Sequence, residues 1–336
     1  MVLRVLENFA GIGTQRMALE NLGITHEVVG ITEIDKFAIN SYESIHGEVN
    51  NLGDISKVDV KDVPDHDLFT YSFPCQDISI AGKQSGFEKG GKTRSGLLWE
   101  CEKVIRVKRP KYLLMENVKN LVSKKFKQGF EEWLRALEEM GYTNYWQVLN
   151  AKDFGIPQNR ERVFCVSILG EHEPYEFPKK ETLELRLKDI LEDEVDEKFY
   201  LDDDKVSRLT LNWGKLLANK DLQVVENTTV KKDNYVVEPK DESLIIDDTM
   251  GFEKEVRVYT DYSPSLRASR SGLKTIEWSQ LRIRKLTPKE CWRLMGISDD
   301  DFAKAQEVNS NTQLYKQAGN AIVVDVLEAI FTNMFK

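Results

Sequence analysis

A thiol, a carboxyl and two guanidiniums stand in three short runs of this 336-residue chain. Cys75 lies in Ser72-Phe73-Pro74-Cys75-Gln76, Glu116 in Glu116-Asn117-Val118, and Arg160 and Arg162 in Gln158-Asn159-Arg160-Glu161-Arg162. The set suits attack on C6 of a pyrimidine ring, which makes C5 nucleophilic. A thiolate is strongly nucleophilic near neutral pH and can leave again, so covalent addition divides a hard step into two easier ones. A protonated carboxyl at ring N3 draws off the developing charge, which requires a glutamate of raised pKa. A guanidinium at the O2 edge stabilises the same charge and holds the base in plane. Cys75, Glu116 and Arg162 are the candidates for these roles, with Arg160 behind them and Asn117 orienting neighbouring backbone. Each alone has a plainer reading: a cysteine after a buried strand is usually a small core hydrophobe, Glu-Asn a cap or turn, and the arginines a solvated loop. Their joint occurrence in this order favours the chemical reading.

Positioning them requires elements, and the first half of the chain alternates short apolar runs with helical patterns. Strands are expected over Leu3–Phe9, Glu27–Thr32, Leu68–Phe73, Tyr112–Met115, Tyr142–Leu149 and Arg162–Ile168. Helices are expected over Thr14–Asn21, Lys36–Ile45, Leu97–Val107 and Phe126–Met140. This is the pattern of an α/β fold with a doubly wound, mostly parallel, Rossmann-like sheet. Phe9-Ala10-Gly11-Ile12-Gly13 joins the first strand to the first helix, where glycines let backbone approach a ligand closely. Glu33 ends the second strand, where an acidic side chain can bind ribose hydroxyls, and Ile34 is placed to lie against an adenine face. A Gly-x-Gly turn alone fits a dinucleotide equally well, and core packing is an even alternative for Ile34 and Ile55.

Taken together the motifs resemble those of the cytosine-5 DNA methyltransferases of bacterial and phage type, nearly end to end. The family's Phe-x-Gly-x-Gly is matched by Phe9–Gly13, its Pro-Cys-Gln by Pro74-Cys75-Gln76, its Glu-Asn-Val by Glu116-Asn117-Val118, and its Gln-x-Arg-x-Arg by Gln158–Arg162. Arg284-Lys285-Leu286-Thr287 with Glu290, Arg293, Leu294 and Gly296 resembles the ninth block, and Gln317-Ala318-Gly319-Asn320 with Val323 the tenth. The sequence departs at Ile78, where phenylalanine is usual, at Ala321-Ile322 for Ser-Val, and at Ser265-Leu266 for Thr-Leu, where a hydroxyl is kept.

The resemblance implies S-adenosylmethionine as cofactor, surrounded by Phe9, Gly11, Ile12, Gly13, Glu33, Ile34, Asp54, Ile55, Pro74, Leu97 and Asn320. It implies methyl transfer to C5 of a cytosine flipped out of duplex DNA, with Cys75 bonded to C6. The segment from Ser79 to Gly96, rich in glycine and lysine, resembles the catalytic loop that closes over DNA. Ser79, Lys83, Gln84 and Arg94 there, with Gln158, are expected to face DNA. The target-recognition domain lies between the eighth and ninth blocks, and Leu222–Val225, Tyr235–Val237, Leu244–Ile246 and Val256–Tyr259 are its β-leaning runs. Ser265, Arg267 and Arg270 are its candidate groove or phosphate contacts, with Lys274 near them. The division expected is 1–180 catalytic, 181–304 recognition and hinge, and 305–336 returning to the catalytic domain, with a last helix over Ala321–Phe335 that brings Asn320 to the cofactor.

Three rivals are weighed. A tRNA cytosine-5 methyltransferase shares the core, a DNA-binding protein that has lost catalysis shares the surface, and a Rossmann dehydrogenase shares only the glycine turn. The substantial region between the eighth and ninth blocks favours DNA, and intact Cys75, Glu116 and Arg162 favour catalysis.

Composition sets outer bounds. The net charge of −9 conceals a basic stretch, Lys83–Lys127, with 13 Lys/Arg against 4 Asp/Glu, and another, Val256–Lys289, with 8 against 2. Glu171–Asp204 runs the other way, with 5 against 14. The basic segments are expected to line a DNA cleft and the acidic one to face away. Four scattered cysteines fit a reducing cytosol, with neither disulfide nor metal site. With no targeting segment and no apolar run of bilayer-spanning length expected, the reading is a cytoplasmic monomer away from membranes.

Overall fold

The computed structural model describes residues 2–75, 77–79, 86, 95–202, 223–226, 229–230, 245–247, 257–259, 262–268, 273–277 and 282–336. The strands of its first part are β1 (Leu3–Asn8), β2 (His26–Thr32), β3 (Leu68–Tyr71), β4 (Tyr112–Val118), β5 (Tyr142–Asn150), β6 (Gln158–Asn159) and β7 (Glu161–Leu169). All but β6 form one sheet in the order β2-β1-β3-β4-β7-β5. β1 pairs in parallel with β2 and β3, and β3 with β4, whereas β7 runs antiparallel to both its neighbours. The chain steps from β1 out to β2 and returns to place β3 on the other side of β1. Such a reversal opens a crevice at the carboxyl ends of the strands, where ligands bind.

Period-two alternation sends neighbouring strand residues to opposite faces. Val5, Leu68, Leu114 and Phe164 enter one buried cluster, while Leu6, Phe69, Leu113 and Val163 enter the other. Helices Thr14–Asn21 and Val324–Phe335 cover the first face. Helices Leu98–Lys108 and Lys127–Glu139 cover the second, the latter burying Phe130, Trp133 and Leu137 at helical spacing. Both faces are therefore filled, which is why the central strands read as continuous apolar runs.

Three expectations change. β4 continues past Met115 through Glu116 and Asn117, because these pair with Phe164 and Val163 of β7 and their polar side chains find partners inside the fold. The last helix starts at Val324, after a separate helix Asn311–Asn320 and an extended step at residues 321–323. By length and mean hydropathy the stretch Asn311–Phe335 is apolar enough to cross a membrane, contrary to the expectation, yet it is two helices, with Leu314, Ala318, Leu327, Ile330 and Phe331 in the core.

A second sheet holds Gln223–Glu226, Thr229–Val230, Ile245–Asp247, Arg257–Tyr259, Leu273–Glu277 and Arg282–Lys285. The run Tyr235–Val237 lies outside the described residues. Helices Pro288–Arg293 and Asp299–Val308, the second crossing the expected boundary at residue 304, contribute Trp292 and Phe302 to the same core as β1 and β4, with Leu294 between them. Ser44 and Asn309 tie helix Asp299–Val308 to helix Lys36–His46.

The charge expectation is corrected along Val256–Lys289. Arg284 is 1% exposed and donates to both oxygens of fully buried Glu290, at 2.9 and 2.8 Å. Arg282 pairs with Glu197, and Lys289 with Glu192 and Asp299. Glu192 and Glu197 belong to the acidic stretch, so these two of its carboxylates are set against the basic stretch rather than turned away from it.

Candidate active site

Strand ends around the reversal at β1 line one open cavity of about 570 Å³, within the range of small-molecule sites. Phe9–Ile12 follow β1, Glu33 and Ile34 follow β2, Ser72–Cys75 follow β3, and Glu116–Val118 finish β4. Because β7 is antiparallel, Arg160 and Arg162 at its start arrive at the same edge. Gly319–Ile322 complete the wall.

Cys75 is a half-buried free thiol. Its segment is fixed from both sides: Asn117 Nδ2 donates to Phe73 O at 2.9 Å, and Ser95 Oγ to Pro74 O at 2.5 Å. The Cys75 carbonyl accepts from Ile78 N and Ser79 N at 3.0 and 2.7 Å. Asn117 Oδ1 accepts from Val118 N at 2.8 Å, so this side chain does hold neighbouring backbone.

Glu116, 9% exposed, places Oε1 3.1 Å from Arg162 Nε. Burial pushes its carboxyl pKa up, against the opposing pull of Arg162, Arg160 and a hydrogen bond from Ser72. Burial likewise raises the Cys75 thiol, with the Glu116 charge adding to it and both guanidiniums opposing. The two acids are thus linked: a proton kept on Glu116 removes its repulsion of the thiolate and leaves two cations facing one anion. That is the charge distribution that thiolate addition with acid assistance needs.

On the far side of the cavity the backbone is bent to make room. Phe9, Gly11 and Gly13 take φ values of 56°, 59° and 79°. Phe9 is the strained one, since left-handed backbone is uncommon outside glycine. Glu33 grips the turn: Oε2 accepts from Gly11 N at 2.9 Å and Oε1 from Ile34 N and Asp35 N, each at 2.8 Å. Ile34 is 72% exposed, so core packing does not account for it, whereas Ile55 is buried in the core and touches the cavity from within it. Asp54 accepts from Ser56 N and Oγ, which together with Lys57 keep its pKa low. Pro74, Leu97 and Asn320 also line the cavity.

A family model for the C-5 cytosine-specific DNA methylases matches residues 3–336. The chain belongs to that family. The methylase is 40% identical to the type II methyltransferase M2.ScrFI of Lactococcus lactis subsp. cremoris, over 100% of this chain and 99% of the relative. It is 35% identical to the type II methyltransferase M.HhaI of Haemophilus parahaemolyticus, over 99% and 94%. In fold it resembles the solved methyltransferase EhMeth of Entamoeba histolytica, with a TM-score of 0.71 at 19% identity, over 100% of this chain and 98% of that one. It is therefore a DNA (cytosine-5)-methyltransferase with the Rossmann-like methyltransferase fold.

The DNA-facing expectations fare unevenly in the methylase. Gln158 is fully buried, with Nε2 donating to Leu294 O at 2.6 Å and Oε1 accepting from Leu266 N at 3.2 Å, so it joins protein segments. Arg160, expected to hold the base, is 4% exposed. Its Nη1 donates to Ser265 Oγ and Leu266 O at 3.3 and 3.0 Å, and its Nη2 to Gly319 O and Ala321 O at 2.9 and 2.8 Å. Desolvation, the larger effect, and Arg162 lower its pKa to about 9. Ser265 faces this guanidinium, and Arg267 is exposed. Lys83, Gln84, Arg94 and Arg270 lie outside the described residues. Sequence reasoning missed Ser72, Asn51 and Ser95. Asn51 Oδ1 accepts from Glu33 N and Gly53 N, a bridge whose only sequence signal is an asparagine two residues before Gly53.

Proposed function

We propose that the methylase transfers a methyl group from S-adenosylmethionine to C5 of a cytosine extruded from a specific short duplex DNA sequence, through a bond between Cys75 and C6. The carrying observation is the buried Glu116, its carboxyl pKa raised by burial, beside Cys75 and Arg162 in the same cavity as the glycine turn. The donor set suits the cofactor: the Glu33 carboxylate has lone pairs left for ribose hydroxyls, Ile34 offers an exposed apolar face for an adenine ring, and Asp54 stands at the rim. Phe9, Gly11, Ile12, Gly13, Ile55, Pro74, Leu97 and Asn320 would complete its pocket. S-adenosylmethionine, when bound, supplies an electrophilic methyl group.

Cys75 Sγ bonds to C6 as the C5–C6 double bond opens, and Glu116 gives its proton to N3 as charge develops there. Arg162 holds the O2 edge, and Arg160 supports it from behind. Asn117 keeps the Phe73–Cys75 backbone in place. Once C5 carries the methyl group, loss of the C5 proton to a base, return of the N3 proton to Glu116 and breaking of the C6–S bond restore the aromatic ring, the acid and the thiolate. A duplex carries its C6 inside the base stack, which is why the base must leave it. The recognition segment over 181–304 supplies the duplex contacts, and the protein works as a monomer in the cytoplasm.

Bisulfite sequencing of plasmid from cells expressing the protein, beside a Cys75→Ala control, tests the reading. Protected cytosines in one short motif, absent in the control, are expected. Unprotected plasmid DNA from well-expressed, folded protein would refute DNA as substrate and direct the search to tRNA.

A further inference from the structure

We infer that Arg160 and Gly319 form a joint that couples cofactor binding to the placement of the DNA-recognition segment. Three segments remote in sequence meet there. The two Nη atoms of one planar, rigid guanidinium divide between them: Nη1 takes Ser265 Oγ and Leu266 O, while Nη2 takes Gly319 O and Ala321 O. The latter two carbonyls flank Asn320, whose residue lines the cavity. Gly319 is itself pressed flat against the recognition segment. A Cβ built on it would lie 2.2 Å from Ala268 N and 2.5 Å from Ala268 Cα and the Arg267 carbonyl carbon. These are backbone atoms, so no side-chain rotation could make way. Gln158 adds a further tie, accepting from Leu266 N, and Ser263 N donates to Pro157 O at 2.7 Å.

Consequently the 263–268 segment cannot shift without leaving Arg160 Nη1 buried and unpaired, and the wall bearing Asn320 cannot shift without doing the same to Nη2. An unpaired buried charge is strongly disfavoured, so the two sides move together. Arg160 and Gly319 are positioning residues in this account. Cofactor that settles the Gly319–Ala321 wall also presents the segment carrying Arg267 to DNA, and by linkage DNA tightens cofactor binding by the same factor.

The inference rests on the cofactor and DNA assignments proposed above, and the test separates them. Full-length protein is titrated with a fluorescent duplex carrying the methylated motif, with and without saturating S-adenosylhomocysteine, and that ligand's own Kd is measured by calorimetry. The ratio of duplex Kd values is expected to be about tenfold in the parent, inside the usual span of allosteric coupling. Gly319→Ala should bring the ratio to about twofold or less, whatever it does to the S-adenosylhomocysteine Kd itself. Ser265→Ala, which removes only one acceptor and no backbone packing, should lower the ratio by about two- to threefold. A parent that binds neither ligand would refute the proposed function. A parent that binds both with a ratio near one, or variants that keep the parent ratio, would overturn the joint alone. Should Gly319→Ala fail to fold, Ser265→Ala decides.

Discussion

Glu116→Gln separates a proton donor from an ordinary ion-pair partner. The substitution keeps the shape of a side chain that is 9% exposed and lies 3.1 Å from Arg162 Nε, but removes its ionisation. Burial outweighs Arg162 and raises the carboxyl pKa, so the folded protein holds this proton more tightly than the unfolded chain does. The stability tied to a raised carboxyl pKa is fully present below the unfolded value, near 4.3, and is lost as pH rises through the folded value. Glutamine cannot ionise, so above that window the variant should be at least as stable as the parent. A charged pair would behave differently: deleting one partner costs about 3–5 kcal/mol, which lowers Tm by roughly 6–20 °C. For catalysis, glutamine can donate a hydrogen bond to N3 but cannot give up a proton, so kcat should fall by about 10²–10⁴. The parent's rate should decline as pH rises through the raised Glu116 pKa, a limb that deprotonation of the Cys75 thiol opposes, with macroscopic pKa values that belong to the pair. The variant should lack the part of that limb due to Glu116. Single-turnover methylation from pH 6 to 9, with calorimetric Tm at pH 6 and 8.5, reads both. A loss of kcat below about tenfold, or a Tm drop of about 6 °C or more at pH 8.5, would refute the reasoning.

Other outcomes follow from the same geometry. Cys75→Ser should abolish turnover and covalent trapping on a 5-fluorocytosine duplex, leaving S-adenosylhomocysteine Kd within about twofold; loss of both would sink the nucleophile assignment. Glu290→Gln should destabilise by about 3–5 kcal/mol, because it strands buried Arg284, while specific activity per folded molecule survives at low temperature; chemical denaturation measures it. Gly13→Ala combines a φ of 79° with a Cβ 2.6 Å from His46 Nε2 and Tyr42 Cε2, so cofactor binding should weaken at least tenfold by calorimetry, an effect of about 1.4 kcal/mol. Duplex affinity should fall steeply with salt despite the net charge of −9, and a flat log–log slope would count against phosphate contacts.

The sheet was legible because its strands are buried on both faces and therefore read as uninterrupted apolar runs, and Cys75, Glu116 and the glycine turn because each ends or follows such a run. Residues whose work is long-range were not legible in the same way. Arg160 and Gln158 sit in the same short motif as Arg162, and sequence alone assigns all three to DNA or base. What separates them is the strand they straddle. Arg162 opens the pairing of β7 with β4 and turns to Glu116, whereas Gln158 lies in β6, which pairs in parallel with Ser263-Pro264 more than a hundred residues away. No local periodicity encodes that pairing. Charge bookkeeping failed because a count does not show pairing: Arg284 counts toward a basic stretch in sequence, but Glu290, six residues on, cancels it inside the core. The motif that looks most like a row of base contacts thus makes protein contacts at Gln158 and Arg160. Mutating its arginines should therefore give different phenotypes, Arg162 changing chemistry at the base and Arg160 changing how recognition and cofactor sites hear each other.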